Sequence, residues 1–191
     1  MDTILEDTMI TQRMNDGICE QINREFFSAY LYLGMSNHAN SLGLKGFAHW
    51  FMVQYHEEMV HTMRLYEYVQ RQGGKPVLKE ISCPQQEFTT PLEMFEKTLE
   101  HERFITQSIN DLIETAKEEK DNATQIFLHW FITEQVEEEN NDVDIINQLR
   151  FVNGDPRAIL LLDKDLGARV LGVPTDFSNG VETALVAAGI I

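Results

Sequence analysis

Apolar residues recur along most of this chain at alternating steps of three and four, the spacing of helices that bury one face. Short breaks rich in glycine, proline or charge divide the pattern into four long stretches and a short one. We therefore predict helices over the following approximate ranges: 9–40, 47–72, 91–119, 122–153 and 156–166.

The links between these helices predict their directions. Residues 41–46 form a short turn, so the first two helices are expected to be antiparallel neighbours. Residues 75–90 lose the helical period at Pro76 and Pro84, and a link of this length is long enough to run along a bundle. The second and third helices are therefore expected to be parallel. The predicted fold class is all-α, a four-helix bundle with a long crossover, a short fifth helix and a C-terminal tail.

The end of the chain has a different character. Residues 168–180 are made irregular by glycines and a proline, whereas 181–191 are apolar apart from Glu182 and fit a short helix or a strand. We divide the chain into a helical domain over 1–167 and a C-terminal extension over 168–191. A surface-packed segment or a subunit contact is the expected role of the extension.

Each of the four long helices carries acids in the middle of its apolar row. A buried carboxylate without a partner costs several kcal/mol, and like charges in a core repel unless cations neutralise them. Acids at one level on all four rows therefore predict a cation site inside the bundle. The candidate ligands are Glu25, Glu58 with His61, Glu102, and Glu134 with Glu138, flanked by Glu57 and Glu137.

The ligand types narrow the choice of metal. Glu58 and His61 are three residues apart and share a helix face, about 60° from each other. A carboxylate and an imidazole bind iron, manganese or zinc, although this spacing alone is a weak signal. Glu-rich ligation without thiolates disfavours structural zinc and fits two bridged divalent ions, for which we expect iron. Di-iron bundles often carry Glu-x-x-His on two helices, but here Asn141 stands three residues after Glu138.

Composition limits the partners and the compartment. The chain has 31 acidic and 15 basic residues and a formal net charge of −16, which argues against nucleic acid and anionic membrane surfaces. It contains no apolar run of about 18 residues, as a membrane span requires. Cys19 and Cys83 suggest no disulfide framework, and residues 1–9 lack the order of a secretory signal. We expect a cytoplasmic protein, with a plastid as the alternative if a transit peptide was removed.

Taken together, these motifs resemble those of ferritins, of the haem-free bacterial or cyanobacterial kind. The resemblance covers about 9–166, and no haem is expected because Asn141 departs from the bacterioferritin pattern. It rests on the following segments: 24–32, 56–61, Glu102, Trp130 with 134–138, and 154–156.

The resemblance implies roles for the candidate residues, as ligands of two irons per subunit with a possible third. Glu25, Glu58 and His61 would form a first site, and Glu58 would bridge to a second site completed by Glu102 and Glu138, with Gln135 close by. A third, weaker position would use Glu57, Glu134 and Glu137, although a solvated acidic patch that does not bind iron strongly is the alternative. Tyr32 would supply an electron or a hydrogen bond, although a plain core tyrosine is the alternative.

The implied activity is that of a ferroxidase, in which dioxygen oxidises two Fe(II) ions. The Fe(III) product would be stored as a mineral inside a hollow homo-oligomeric shell of about 24 subunits. One alternative is a di-iron oxidase or peroxidase that stores nothing, although such enzymes usually carry the second Glu-x-x-His. Another alternative is a bundle that has lost its chemistry and only assembles. The complete set of acids argues against it.

Two departures from the animal ferritin pattern leave further points open. The positions that carry three-fold channel acids in animal chains are Gln125 and Leu128 here. Iron is therefore expected to reach the site by another route, nearer the bundle. The positions of the acids that nucleate mineral in animal chains are Val60 and Met63. The C-terminal extension has no counterpart in this resemblance.

Overall fold

The computed structural model describes residues 9–191. The expectation that residues 1–9 lack the order of a secretory signal therefore lies, for residues 1–8, outside the described residues. Within 9–191 the regular structure is entirely helical, and its six helices are α1 (Gln12–Ser41), α2 (Lys45–Arg71), α3 (Pro91–Glu119), α4 (Asn122–Val152), α5 (Pro156–Leu166) and α6 (Val181–Ala188). The predicted all-α class, with four long helices and a short fifth, is confirmed. The apolar end segment forms a helix rather than a strand.

Side chains satisfy the backbone N–H groups where α3 and α5 begin. The hydroxyl oxygen of Thr90 accepts a hydrogen bond from the backbone N–H of Glu93 at 3.1 Å. Asp155 Oδ1 accepts in the same way from the N–H of Arg157 at 3.0 Å. A proline follows each capping residue, where its fixed φ suits the first helical turn. These local signals explain why the sequence predicted both helix starts to within a residue.

Two apolar clusters fill the ends of the bundle and establish the directions of the helices. The first joins the C-terminal halves of α1 and α4 to the N-terminal halves of α2 and α3, through residues that include Met35, Phe51, Phe95 and Ile146. The second joins the opposite halves, through residues that include Ile18, Leu65, Ile109 and Phe131. Helices α2 and α3 therefore run parallel, and the predicted crossover between them is confirmed.

A polar layer separates the two apolar clusters at the middle of the bundle. All of its members are buried, because they lie on the helix faces that also bury the apolar residues one or two turns away. We call this set the acid layer; it consists of Glu25, Glu58, His61, Glu102, Gln135 and Glu138.

Helix α5 packs across the beginning of α2. Asp163 Oδ1 accepts hydrogen bonds from the backbone N–H groups of Gly46 and Phe47, at 2.8 and 3.0 Å. A Cβ atom at Gly46 would lie only 1.5 Å from the carbonyl oxygen of Asp163, so the two helices can approach this closely only with glycine at that position.

The C-terminal extension folds back over the middle of α2. Val181 and Leu185 of α6 are fully buried and pack against Val60. Arg64 Nε of α2 donates a hydrogen bond to Glu182 Oε1 at 3.0 Å. The division of the chain after residue 167 stays a prediction. None of the helices within 9–191 combines the length and the apolar character that crossing a membrane requires.

Candidate metal centre

Three of the predicted ligands come together where α1 and α2 face each other. Glu25, Glu58 and His61 each offer one ligand atom, and these atoms all lie within 4.8 Å of one another. The His61 ring packs edge-on against Trp130 and Phe131, with ring centroids 5.4 and 5.8 Å away, which holds the imidazole in place. We call Glu25, Glu58 and His61 the first ligand group.

One oxygen of each carboxylate in the first ligand group lacks a hydrogen bond from the described chain, although Gln21 Nε2 donates to Glu25 Oε1 at 2.8 Å. The Oε2 atoms of Glu25 and Glu58 are buried, and neither accepts a hydrogen bond from any residue in 9–191. His61 Nδ1 lies 3.3 Å from Glu58 Oε2 without forming an aligned hydrogen bond. Buried carboxylate oxygens left in this way are costly, and together with an imidazole they are ligands that divalent iron accepts. The residues present therefore fit an iron ion.

Glu102 and Glu138 lie on the other side of the acid layer, and neutral donors hold both carboxylates. The hydroxyl of Tyr32 donates to Glu102 Oε1, and Gln135 Nε2 donates to Glu102 Oε2 at 3.0 Å. Gln54 Nε2 donates to Glu138 Oε2 at 2.8 Å. The structure thus places these two acids at the predicted level, but their ligand atoms lie outside the first ligand group.

Burial and the neighbouring acids raise the pKa of Glu58 and Glu102. Burial is the main cause for Glu58, whose pKa lies well above its usual value, and the charges of Glu102, Glu25 and Glu138 add to it. The pKa of Glu102 is raised to about 8 by burial and then by Glu138, although its two neutral hydrogen-bond donors lower it. Burial likewise raises the pKa of the Tyr32 phenol. A cation that binds here must therefore displace protons.

The acids predicted to hold a third ion line a cavity of about 80 Å³ beside the first ligand group. Glu57 and Glu134 are partly buried and Glu137 is exposed. Glu57 Oε2 is already paired, because Arg169 Nη2 of the C-terminal extension donates to it at 2.6 Å. Burial nevertheless raises the pKa of Glu57 to about 7, against the opposing effect of Arg169.

Asp142 borders the acid layer, although the sequence pattern did not single it out. Its side chain is 1% exposed, and neither carboxylate oxygen has a hydrogen-bond partner in the described part of the chain. Burial, followed by the charges of Glu102 and Glu138, raises its pKa to about 9. Asp142 follows Glu138 by one helical turn, so a step of four would have found it, whereas the predicted row stepped by three to Asn141.

Arg169 was also missed, for a different reason. It lies between α5 and α6, where the chain has no helical period, so its position in sequence carries no signal of contact with the bundle. Only the path of the C-terminal extension brings it to Glu57.

The family described as "Ferritin-like domain" matches residues 15–152. The chain belongs to the ferritin family. The haem-free kind predicted from the sequence is confirmed by curated relatives that are bacterial non-heme ferritins.

Two of these relatives show the extent of the similarity. The bacterial non-heme ferritin of Staphylococcus aureus (strain USA300) is 35% identical over 161 residues, which cover 84% of this chain and 97% of the relative. That of Bacteroides fragilis (strain 638R) is 39% identical over 161 residues, which cover 84% of this chain and 100% of the relative.

Solved structures agree with the fold. An open-pore ferritin from the hyperthermophilic archaeon Archaeoglobus fulgidus has a TM-score of 0.84 and 44% identity, over 84% of this chain and 99% of the other. A closed form of that ferritin, engineered by site-directed mutagenesis, has a TM-score of 0.83 and 43% identity, over 84% and 98%. Membership of this family supports iron storage as the role of the chain and iron as the metal it binds.

Proposed function

We propose that this ferritin oxidises Fe(II) with dioxygen at a di-iron centre in the acid layer. One observation carries the proposal. Two buried carboxylate oxygens, on Glu25 and Glu58, receive no hydrogen bond from residues 9–191 and converge with His61. A divalent cation is the partner that such a group lacks. Fe(II) is the substrate here, and this group is its proposed first position.

Glu102 and Glu138 are proposed to complete a second position, with Glu58 as the bridge. Each Fe(II) gives up one electron, so a two-electron reduction of dioxygen needs a pair of ions held close together. Both acids hold hydrogen bonds that they would exchange for the metal. Tyr32 and Gln135 keep Glu102 oriented until then, and the raised pKa of Tyr32 keeps its phenol protonated as a donor.

Storage requires a compartment as well as a reaction. We propose that the chains form a homo-oligomeric shell of about 24 subunits with the Fe(III) mineral inside. Exposed apolar side chains support subunit contacts, because α5 leaves Leu160 and Leu161 exposed and α4 leaves Phe151 91% exposed beside Leu161. The cytoplasm is the proposed compartment, which the free thiols of Cys19 and Cys83 favour.

Aerobic loading of the whole protein with Fe(II) tests both parts of the proposal. Glu58→Ala and His61→Ala are each expected to slow the initial oxidation by about tenfold or more, because each removes a ligand from the first position. The exposed Glu100→Ala serves as the matched control and should oxidise Fe(II) like the wild type. Equal initial rates in wild type, Glu58→Ala and His61→Ala would overturn the assignment of the centre.

The same loading separates storage from the alternative, a di-iron oxidase or peroxidase that stores nothing. Excess Fe(II) is added, and iron content and light-scattering mass are followed across a sizing column. Iron that travels in large excess with a particle of about 24 subunits supports storage. A small oligomer that holds about two irons per chain would leave the centre in place and exclude storage.

A further inference from the structure

The C-terminal extension brings a fixed positive charge to the edge of the acid layer. Arg169 Nη2 donates to Glu57 Oε2 at 2.6 Å, and the two side chains are only 20% and 19% exposed. The guanidinium carbon lies 4.7 Å from the centroid of the Trp50 ring. His49 Nε2 donates to the backbone oxygen of Arg169 at 2.7 Å. Three contacts therefore hold this one residue against α2.

The guanidinium lines the cavity formed by the three acids that the ferritin resemblance assigns to a possible third ion. Arg169 lines this cavity of about 80 Å³ together with Glu57, Glu134 and Glu137. Its second terminal nitrogen, Nη1, is buried and has no hydrogen-bond partner within 9–191. Because Nη1 lacks a hydrogen-bond partner, the contacts with Glu57, Trp50 and His49 are what hold Arg169 in this position.

The rest of the extension keeps Arg169 in this position. Val173, Leu185 and Ile190 line the same cavity and cover it from the outside. Helix α6 is anchored further along α2, where Val181 is fully buried and Arg64 pairs with Glu182. Helix α5 precedes Arg169 and is held to α2 by the hydrogen bond from the Gly46 N–H to Asp163 Oδ1, so Arg169 is fixed from both directions along the chain.

A guanidinium and a divalent ion cannot share Glu57 at low cost. The two positive charges would lie a few ångströms apart in a partly buried cavity, where water screens them poorly. An ion that takes the carboxylate must break a charge-assisted hydrogen bond and leave the arginine without its partner.

We propose that Arg169 occupies the third cation position of this ferritin, so that the docked extension limits each subunit to two metal ions. The inference rests on the proposed function, because it takes the two-ion centre as given. Arg169 would then determine the metal stoichiometry. A subunit without this arginine would bind a third ion, whereas this chain binds two.

Anaerobic calorimetric titration with Co(II), which dioxygen chemistry does not complicate, tests the inference on the full-length protein. The wild type is expected to bind about two Co(II) per subunit and Arg169→Gln about three, with the third at least tenfold tighter than any third ion in the wild type. Arg169→Lys keeps the charge and should return the count to about two. The double variant Arg169→Gln/Glu57→Gln should also bind about two, because it lacks the released ligand.

Arg150→Gln is the matched control, since it removes the arginine of a surface ion pair with Glu96 and should leave the count unchanged. Three ions in the wild type, or two in both wild type and Arg169→Gln, would overturn the role of Arg169 and leave the two-ion centre standing. Failure of every variant and the wild type to bind Co(II) would overturn the proposed function itself, and the inference with it.

Discussion

Glu25 and Glu58 each keep one buried oxygen, Oε2, without a hydrogen bond from the described chain, although Gln21 Nε2 donates to Glu25 Oε1 at 2.8 Å. Both oxygens of Glu102, and Oε2 of Glu138, instead accept hydrogen bonds from neutral side chains. Both pairs are buried to a similar extent at the same level of one bundle. The difference shows that burial alone does not define a metal ligand. In the proposed centre, a cation would supply the partner that the Oε2 atoms of the first pair lack, whereas the second pair would have to give up hydrogen bonds to bind one.

The largest expected effect is that substitutions of Glu102 and of Glu58 change the free energy of unfolding in opposite directions. Glu102→Met should lower the free energy of unfolding of the metal-free protein by about 2–4 kcal/mol, because Tyr32 and Gln135 lose a buried acceptor. Glu58→Met removes a buried carboxyl group whose Oε2 has no hydrogen-bond donor and which the neighbouring acids repel, and it should raise the free energy of unfolding by about 1 kcal/mol. Urea unfolding followed by circular dichroism measures both changes.

The exposed Glu100→Met is the control for the methionine substitutions and should shift stability by less than about 0.5 kcal/mol. The comparison between the two sides fails if Glu58→Met loses as much stability as Glu102→Met.

The pH dependence of stability sharpens the comparison on the side of α3 and α4. Glu102 and Asp142 have pKa values raised to about 8 and about 9, mainly by burial. The folded chain therefore holds protons that the unfolded chain releases near pH 4. The stability that these two protonated groups contribute is fully present below about pH 4, and it is lost as the pH rises through their pKa values in the folded protein. The melting temperature of the metal-free protein should fall between about pH 5 and pH 9.

Asp142→Asn separates the contribution of one carboxyl group, because an amide does not titrate. The fall in melting temperature should become shallower in this variant, most clearly at the alkaline end of the range. Parallel curves for wild type and Asp142→Asn would show that Asp142 releases no proton on unfolding.

The smallest expected effect concerns the hydrogen bond that Glu138 must give up. Gln54→Met removes the donor to Glu138 Oε2, so a metal no longer competes with that hydrogen bond. The second divalent ion should bind about twofold to tenfold more tightly, which corresponds to a net hydrogen bond of about 0.5–1.5 kcal/mol. Anaerobic Co(II) titration measures the second affinity. Weaker binding in Gln54→Met would indicate that the amide orients Glu138 for the metal instead of competing with it.

Helical period accounts for the success of the sequence prediction and for its main error. Glu25, Glu58 and Glu102 were found because steps of three and four trace a buried face, and a helix that buries its apolar residues must also bury an acid between them. The same alternation reached Asn141 and passed over Asp142. A face of a helix is wider than a single row of residues, so both positions satisfy the period, and the sequence alone does not say which of them points inward.

The four helices, the crossover and the buried level of acids follow from the sequence by itself. They depend on local periodicity, on capping residues such as Thr90 and Asp155, and on loop length, all of which act between near neighbours. Only the tertiary structure decided which donors satisfy which carboxylates. Glu57 and Arg169 are 112 positions apart, and no local rule relates them. They meet because the extension packs its apolar side chains on α2, and that packing places the charge beside the acid layer.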